Sequence, residues 1–392
     1  MPLSLRTAGE SHGPRLTAIL EGIPAGLAID PAFVDAELSR RQHGYGRGGR
    51  MKIEKDAAIF EGGVRGGVTL GSPIAIGLAN RDFESWAGVM APFALDPEAA
   101  HERRLTRPRP GHADLAGGMK MGARDLRDVL ERASARESAA RVAAGAVCKL
   151  LLAQCGIEVG SAVLSVGAAV DRVSPRSFAT AARVRQDSPL RAADEDAEAA
   201  MVAAVDAARQ EGDTLGGTIL VAARGVPAGL GSYTAWDRKL DGRLGGALLS
   251  VPAVKAVEFG SAIEASGGPG SRAHDEIVTG AEGRLLRRTN RAGGLEAGVT
   301  NGEDVVAVLY MKPISTLARG LDSVDLETGA PARAAYERSD VAAVAACGVI
   351  GEAMMAFVLA DALLEVTGGD RMEDVRTRLA AHRRRVETYP SG

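Results

Sequence analysis

Stretches that read as strands and stretches that read as helices follow one another along this chain without strict alternation. That ordering is what most limits the fold. A parallel doubly wound sheet needs a crossover, usually a helix, between successive strands. Here residues 16–22 read as a strand running into a Gly/Pro turn. Asp30 then caps a helix through Arg41, with Phe33, Val34 and Leu38 on one face. Two strands, 51–60 and 68–76, follow with no helical pattern between them. Residues 124–154 are helical in propensity, with a break near 132–134. Further on, 157–170 reads as strand, 195–210 as helix and 214–223 as strand. A short helix at 244–249 leads into 254–259, and 305–311 reads as another strand. Asp340 reads as the N-cap of a long helix through Val366, stopped by Gly368 and Gly369. A polar helix over about 371–387 ends the chain. The order predicts a mixed α/β fold with antiparallel sheets packed by helices. No linker-like or low-complexity stretch divides it, so residues 1–392 read as one domain, with 370–392 a polar C-terminal helix and tail.

Bulk composition narrows the function. Of 392 residues, 46% are hydrophobic and 25% charged, the balance of a globular protein with a sizeable core. The net charge of −3 gives no global field that would draw the chain onto nucleic acid or membrane, and aromatics at 4% are too few for base-stacking platforms. No apolar run approaches the roughly 20 residues of a bilayer span, and the first ten residues lack a signal-peptide pattern. Cys148, Cys155 and Cys347 form no CxxC pair, which argues against a disulfide framework or zinc site and for a reducing cytoplasm. Only seven of the 47 basic residues are lysine, so forty are arginine, whose planar fork suits phosphate and carboxylate.

Several polar clusters could carry chemistry. Gly9-Glu10-Ser11-His12-Gly13 is a short polar segment ahead of a strand, with glycines that let backbone approach a ligand. Residues 40–50 hold Arg40, Arg41, Arg47 and Arg50 among glycines. Gly44, Gly46 and Gly49 formally match GxGxxG, but the segment follows a helix and opens a strand, the reverse of a dinucleotide fingerprint, so a multiply charged anion is the better ligand. Arg107-Pro108-Arg109-Pro110-Gly111-His112-Ala113-Asp114 is a stiff loop that joins arginine to histidine, a pairing suited to charge stabilisation and proton donation as phosphate departs. Around Ser134, residues 131–137 place a hydroxyl and backbone N–H groups where a helix opens. Lys312-Pro313-Ile314-Ser315-Thr316 follows a strand with one cation and two hydroxyls, and Arg338-Ser339-Asp340 precedes the long helix. HExxH and P-loop patterns are absent, and no residues suggest a metal centre.

Taken in order, these clusters resemble the chorismate synthase family. The resemblance rests on GESHG at 9–13, RRQ-x-GYGRGGRM at 40–51, RPRPGHAD at 107–114 and ERASARE at 131–137. TLGG at 214–217, GSRAHDE at 270–276, TNRAGGLE at 289–296, KPIST at 312–316, RSD at 338–340 and LEVTGGD at 364–370 complete it. It implies a β-α-β sandwich, a homotetramer and a cytoplasmic enzyme. The implied reaction is a 1,4-elimination of phosphate from 5-enolpyruvylshikimate-3-phosphate, the last step of the shikimate route to aromatic amino acids. Reduced FMN would be required with no net redox, and NADPH would serve indirectly as reductant through a separate flavin reductase. By the same resemblance His12 and His112 are general acids, Asp340 assists proton removal, and Ser11 and Ser134 line the site. Arg41, Arg47, Arg50, Arg109, Arg136 and Arg338 would surround substrate phosphate and carboxylates, with Arg41 and Arg47 also placed at NADPH. FMN contacts map onto Arg132, Ala133, Ser134, Ala253, Ala297, Lys312, Pro313, Ile314, Ser315, Thr316 and Arg338. Departures from the family pattern are Leu115, Met121, Ala297, Ala345 and Cys347, none of them a proposed catalytic group. Two other readings compete: an inactive flavin-binding relative, and a polyanion- or RNA-binding protein that uses the arginine-rich loops.

Overall fold

The computed structural model describes residues 2–48, 55–280, 283, 285–337 and 339–389. Its N-terminal part is a four-stranded antiparallel sheet of β1 (Ser4–Ala8), β2 (Arg15–Glu21), β3 (Ile59–Gly62) and β4 (Ile74–Ala79), in the order β1-β2-β4-β3. Strand β2 alternates as its sequence does: Leu16, Ala18 and Leu20 are buried on one face while the residues between them are only partly covered. Two expected strands are shorter than their sequence suggested. Residues 51–54 lie outside the described residues, 55–58 are irregular, and pairing begins only at Ile59. The expected strand over 68–76 breaks at Leu70-Gly71-Ser72-Pro73, where Gly71 takes a φ of 81° and Pro73 has no N–H to give a ladder. Val68–Thr69 pairs instead with Val64–Arg65.

Helix α1 (Pro31–Gln42) starts as expected, with the Asp30 carboxylate accepting from the Ala32 amide at 3.0 Å and proline at the first position. After α2 (Asp114–Met121) come α3 (Arg127–Ala133) and α4 (Ser138–Gln154), separated by the extended Ser134 and one tight turn, Ala135–Glu137. The second sheet joins β5 (Glu158–Val166), β6 (Ala169–Val170), β7 (Gly217–Arg224), β8 (Val254–Phe259) and β9 (Val305–Met311) in the order β8-β9-β7-β5-β6, antiparallel throughout. The remaining longer helices are α5 (Glu195–Gln210), α6 (Leu240–Leu249), α7 (Val344–Thr367) and α8 (Met372–Glu387).

Helix α4 packs on β2 and β4 of the first sheet, α7 packs on β5 and β7 of the second, and the two helices lie against each other. That is a β-α-β sandwich. Small residues set its thickness. A Cβ on Gly145 of α4 would sit 2.4 Å from the Ala353 Cβ of α7, and one on Gly348 would sit 2.7 Å from the Ser161 Oγ of β5. The core is continuous from Leu3 to Leu379.

Helix α7 corrects two expectations. It begins at Val344, so Asp340 does not cap it. Its 24 residues are also long and apolar enough to cross a membrane by composition, but 89% of its most apolar window is buried within the fold. Its midpoint carries Glu352, fully buried, whose carboxylate accepts from Arg40 Nη2 at 2.7 Å, Lys149 Nζ at 2.7 Å and Ser161 Oγ at 2.6 Å, with Arg191 at 3.4 Å. A buried charge with this many donors pins α1, α4, α7 and the loop before α5 to one another.

Candidate active site

Segments distant in sequence meet at a cavity of about 1170 Å³. It is lined by the loop between β1 and β2, the run after α1, the segment 82–114, the end of α3 and start of α4, the loop after β9, and the residues that lead into α7. Ser11, His12, Arg41, Arg47, Arg109, His112, Arg132, Ala133, Ser134, Arg136, Ala253, Lys312, Ile314, Ser315, Thr316 and Asp340 all line it. Pro313 and Ala297 do not. Ala297 lies at the turn between the short strands Leu295–Glu296 and Val299–Thr300, with a φ of 51° that suits the glycine usual there. Arg50 and Arg338 lie outside the described residues.

Each histidine is held through Nδ1 by a buried carboxylate, and each carboxylate is held by an arginine. His12 Nδ1 lies 2.9 Å from Glu131 Oε2, the His12 amide donates to the same oxygen at 2.9 Å, and Arg127, one turn earlier on α3, donates to Glu131 Oε1 at 3.0 Å. His112 Nδ1 hydrogen-bonds Asp114 Oδ1, and Arg109 grips Asp114 through Nε at 2.8 Å and Nη2 at 3.0 Å. Burial alone would raise both carboxyls. Hydrogen bonds and charge from the histidines and arginines outweigh it, so Asp114 and Glu131 stand below the ordinary carboxylate range. Arg109 also donates to Thr316 Oγ1 at 2.9 Å, and Ser315 Oγ donates to the Gly111 carbonyl at 2.8 Å, so the loop after β9 is tied to the histidine loop. Arg109 therefore points its guanidinium into a protein network as well as lining the cavity.

Asp340 lines the same cavity ahead of α7. Its Oδ1 accepts from the Gly48 amide at 2.6 Å and its Oδ2 from Arg47 Nη1 at 2.9 Å. This is what a carboxylate with no helix to cap can do, and it fastens the glycine-rich run to the start of α7. Arg41 and Arg136 share Asp56, at 3.1 and 2.6 Å, and Arg136 donates through Nε and Nη2 to Asn80 Oδ1. One carboxylate thus faces two arginines that are 3% and 5% exposed. Burial, relieved in part by Asp56 but reinforced by Arg136 and Arg47, pushes Arg41 down to about 10. Arg41 Nε is buried with no hydrogen-bond partner. A wall of this kind favours an incoming anion with several oxygens. It also counts against the polyanion-binding reading, because these motif arginines face an interior cavity and a nucleic acid would need them on the surface.

Ser134 Oγ donates to Ser11 Oγ at 3.2 Å and accepts from the Arg136 amide, while Arg132 reaches the Gly9 and Thr7 carbonyls. Lys312 Nζ donates to Ser315 Oγ at 2.9 Å, and burial together with Lys255 lowers its proton affinity. The apolar part of the lining comes from Ala133, Pro252, Ala253, Met311, Ala343 and Ile350. Cys347 also borders the cavity, but burial pushes its thiol up to about 12, which leaves it unreactive.

Sequence reasoning overlooked Trp86, Arg103, Arg127, Asp56 and Asn80, and gave Glu131 and Asp114 no role. Trp86 stacks on the His12 ring with centroids 3.9 Å apart. Asp114 and Glu131 had a local signal, lying two residues from His112 and inside ERASARE. Trp86, Asp56 and Asn80 had none, because the site residues they meet are 15 to 80 positions away.

A family model described as chorismate synthase matches residues 3–364. A chorismate synthase from Moorella thermoacetica is 54% identical over 381 residues, spanning 97% of this chain and 98% of the relative. One from Geobacillus kaustophilus is 50% identical over 384 residues, spanning 98% and 99%. A crystal structure of a chorismate synthase, 39% identical, superposes with a TM-score of 0.79 over 99% of both chains.

Proposed function

The chain belongs to the chorismate synthase family, and from that premise we propose that it removes phosphate from 5-enolpyruvylshikimate-3-phosphate to give chorismate. The observation that carries the reading is the cavity itself. Two carboxylate-held histidines, a carboxylate held by backbone and arginine, and a cluster of buried arginines come from separate motifs and face one space.

Substrate binding falls to the arginines. The substrate carries two carboxylates and a phosphate, and Arg41, Arg47 and Arg136 offer forked donors in a wall where water is largely excluded. As phosphate leaves C3 with the C–O bonding electrons, His112 donates a proton from Nε2, the nitrogen that its bond to Asp114 leaves for the cavity. His12 is likewise a donor through Nε2. Asp340 does not take hydrogen from C6 directly; it assists its removal as the final proton acceptor, with Arg47 and the Gly48 amide holding the carboxylate in place. The products balance: one phosphate and one hydrogen leave, and one new double bond forms. The reaction is that of a carbon–oxygen lyase acting on a phosphate.

The cavity fits a flavin. Its volume exceeds the roughly 300–1,000 Å³ of a site for one drug-sized ligand. The apolar patch of Ala133, Pro252, Ala253, Met311, Ala343 and Ile350 suits a flat ring, and Lys312 and Arg132 suit a phosphate tail. Reduced FMN bound there would supply transient electron donation that helps phosphate depart and acceptance of the C6 hydrogen, chemistry side chains cannot perform. Reduction of that flavin by NADPH through a separate reductase, assembly as a homotetramer, folding of the whole chain as one domain and a cytoplasmic location complete the proposal.

The test is anaerobic. Purified protein is mixed with photoreduced FMN and substrate, and phosphate release is followed together with chorismate absorbance. Stoichiometric appearance of both with the flavin still reduced is expected. Binding of flavin and substrate with no release would favour an inactive relative, and binding of neither would overturn the assignment.

A further inference from the structure

His12 is more firmly enclosed than a residue of the cavity wall needs to be. The Glu131 side chain is fully buried and makes three contacts to His12, one to its amide and one from each carboxylate oxygen to its ring Nδ1, at 3.0 and 2.9 Å. Arg127 donates to Glu131, to Glu337 at 2.9 Å and, through Nε, to the Arg103 carbonyl at 2.6 Å. The Trp86 indole lies 3.9 Å from the imidazole at 21° to its plane, and the Arg103 guanidinium lies 4.1 Å from the same indole. Trp86 is itself fixed, since its Nε1 donates to Asp82 at 3.2 Å.

We propose that Glu131 and Trp86 are positioning residues for His12: Glu131 holds the ring proton on Nδ1, so that Nε2 is the nitrogen that gives up a proton to the cavity, and Trp86 fixes the plane of the ring. A carboxylate accepts and cannot donate, so whichever protonation state the ring adopts, Nδ1 must carry hydrogen to satisfy it. Glu131 keeps that carboxylate form because the His12 hydrogen bonds and the nearby Arg127 charge outweigh its burial. A neutral imidazole in the other tautomer would aim a lone pair at a buried negative charge, which costs more than losing the hydrogen bond alone. The stack removes the remaining freedom, rotation about the bond to the ring. A misplaced general acid loses most of its rate contribution, because proton transfer requires hydrogen-bond geometry in the transition state. The effect on turnover rests on the function proposed above. The tautomer does not, and it can be measured without substrate.

Nitrogen-15 NMR of the full chain with labelled histidine reads the tautomer directly, with the His12 signals identified by their loss in His12→Asn. Neutral His12 is expected as the Nδ1–H form. Glu131→Gln, whose amide can accept or donate, is expected to admit the other tautomer and to lower kcat about 10²-fold with KM changed less than about twofold, while Glu131→Asp restores much of both. Trp86→Leu is the second variant, since it leaves the carboxylate in place. It is expected to keep the Nδ1–H form and to lower kcat about 10-fold. An Nε2–H signature in the unmodified protein overturns the proposal, as does unchanged kcat in both variants. An Nδ1–H signature in a protein without turnover would support the placement of the ring while overturning the reaction.

Discussion

Replacing Glu352 by glutamine keeps the shape of the side chain and removes its charge. In the folded protein that charge faces Arg40, Lys149 and Arg191, with Ser161 donating a further hydrogen bond. Loss of one partner from a buried ion network costs roughly 3–5 kcal/mol, because the charges left behind remain out of water. Glu37 still pairs with both Arg40 and Lys149, and Arg40 is partly exposed, so the low end, about 3 kcal/mol, is expected. At about 2.1 cal/mol/K per residue, 392 residues give an unfolding entropy near 0.8 kcal/mol/K, so the melting temperature should fall by about 4 °C. The effect depends on pH with a definite sign. Burial alone would raise the Glu352 carboxyl, but Lys149, Arg40 and Arg191 outweigh it and hold it far below its ordinary value of 4.5. A group depressed by folding contributes stability above its unfolded value and loses it as pH falls toward the folded one. The gap between the two proteins should therefore be full at pH 7 and close as pH drops below about 4.5. Scanning calorimetry at fixed protein concentration, at pH 7 and at pH 4, measures both. A melting temperature within 1 °C of the unmodified protein at pH 7, or a gap that widens in acid, would refute the reasoning.

Asp340→Asn keeps an acceptor for the Gly48 amide but removes the proton acceptor, so kcat should fall about 10²-fold or more in the anaerobic assay, and near-normal turnover would remove Asp340 from the chemistry. His112→Ala should cost a similar factor, read the same way. Gly145→Val places a branched side chain where even a Cβ meets Ala353 at 2.4 Å, and urea unfolding should show a loss of about 3 kcal/mol, with less than 0.5 kcal/mol indicating that α4 and α7 separate freely. Ala297→Gly relieves a left-handed alanine at φ 51°, and after the extra freedom of the unfolded glycine about 0.5 kcal/mol of added stability is expected from the same measurement.

Much of the fold is written locally. The helix over 195–210 and the strand over 305–311 have the bounds their sequence suggests, and α1 begins where Asp30 and Pro31 satisfy its first turn. The break in residues 124–154 falls at Ser134, whose hydroxyl accepts from the backbone two residues on. These features follow from rules that operate within one or two turns: periodicity, capping and the missing donor of proline. The same rules misread Asp340. A carboxylate ahead of a helix is an N-cap by local logic, yet its partners are Arg47 and Gly48, 292 residues away for the latter. They also extended a strand across Gly71 and Pro73, where a turn intervenes.

The sequence by itself determined most of the longer helices and strands, their antiparallel character, the family and the residue types gathered for anion chemistry. Only the tertiary structure decided how those residues are used. It assigned Glu131 to His12 across 119 positions, turned Arg109 toward Asp114 and Thr316, and made Glu352 the centre of a core charge network reaching Arg40 across 312 positions. The physical reason is that a buried charge must find a partner or remain unsolvated at high cost. That partner is selected by which surfaces close over it when the two sheets and their helices pack, not by which residues stand nearby in the chain.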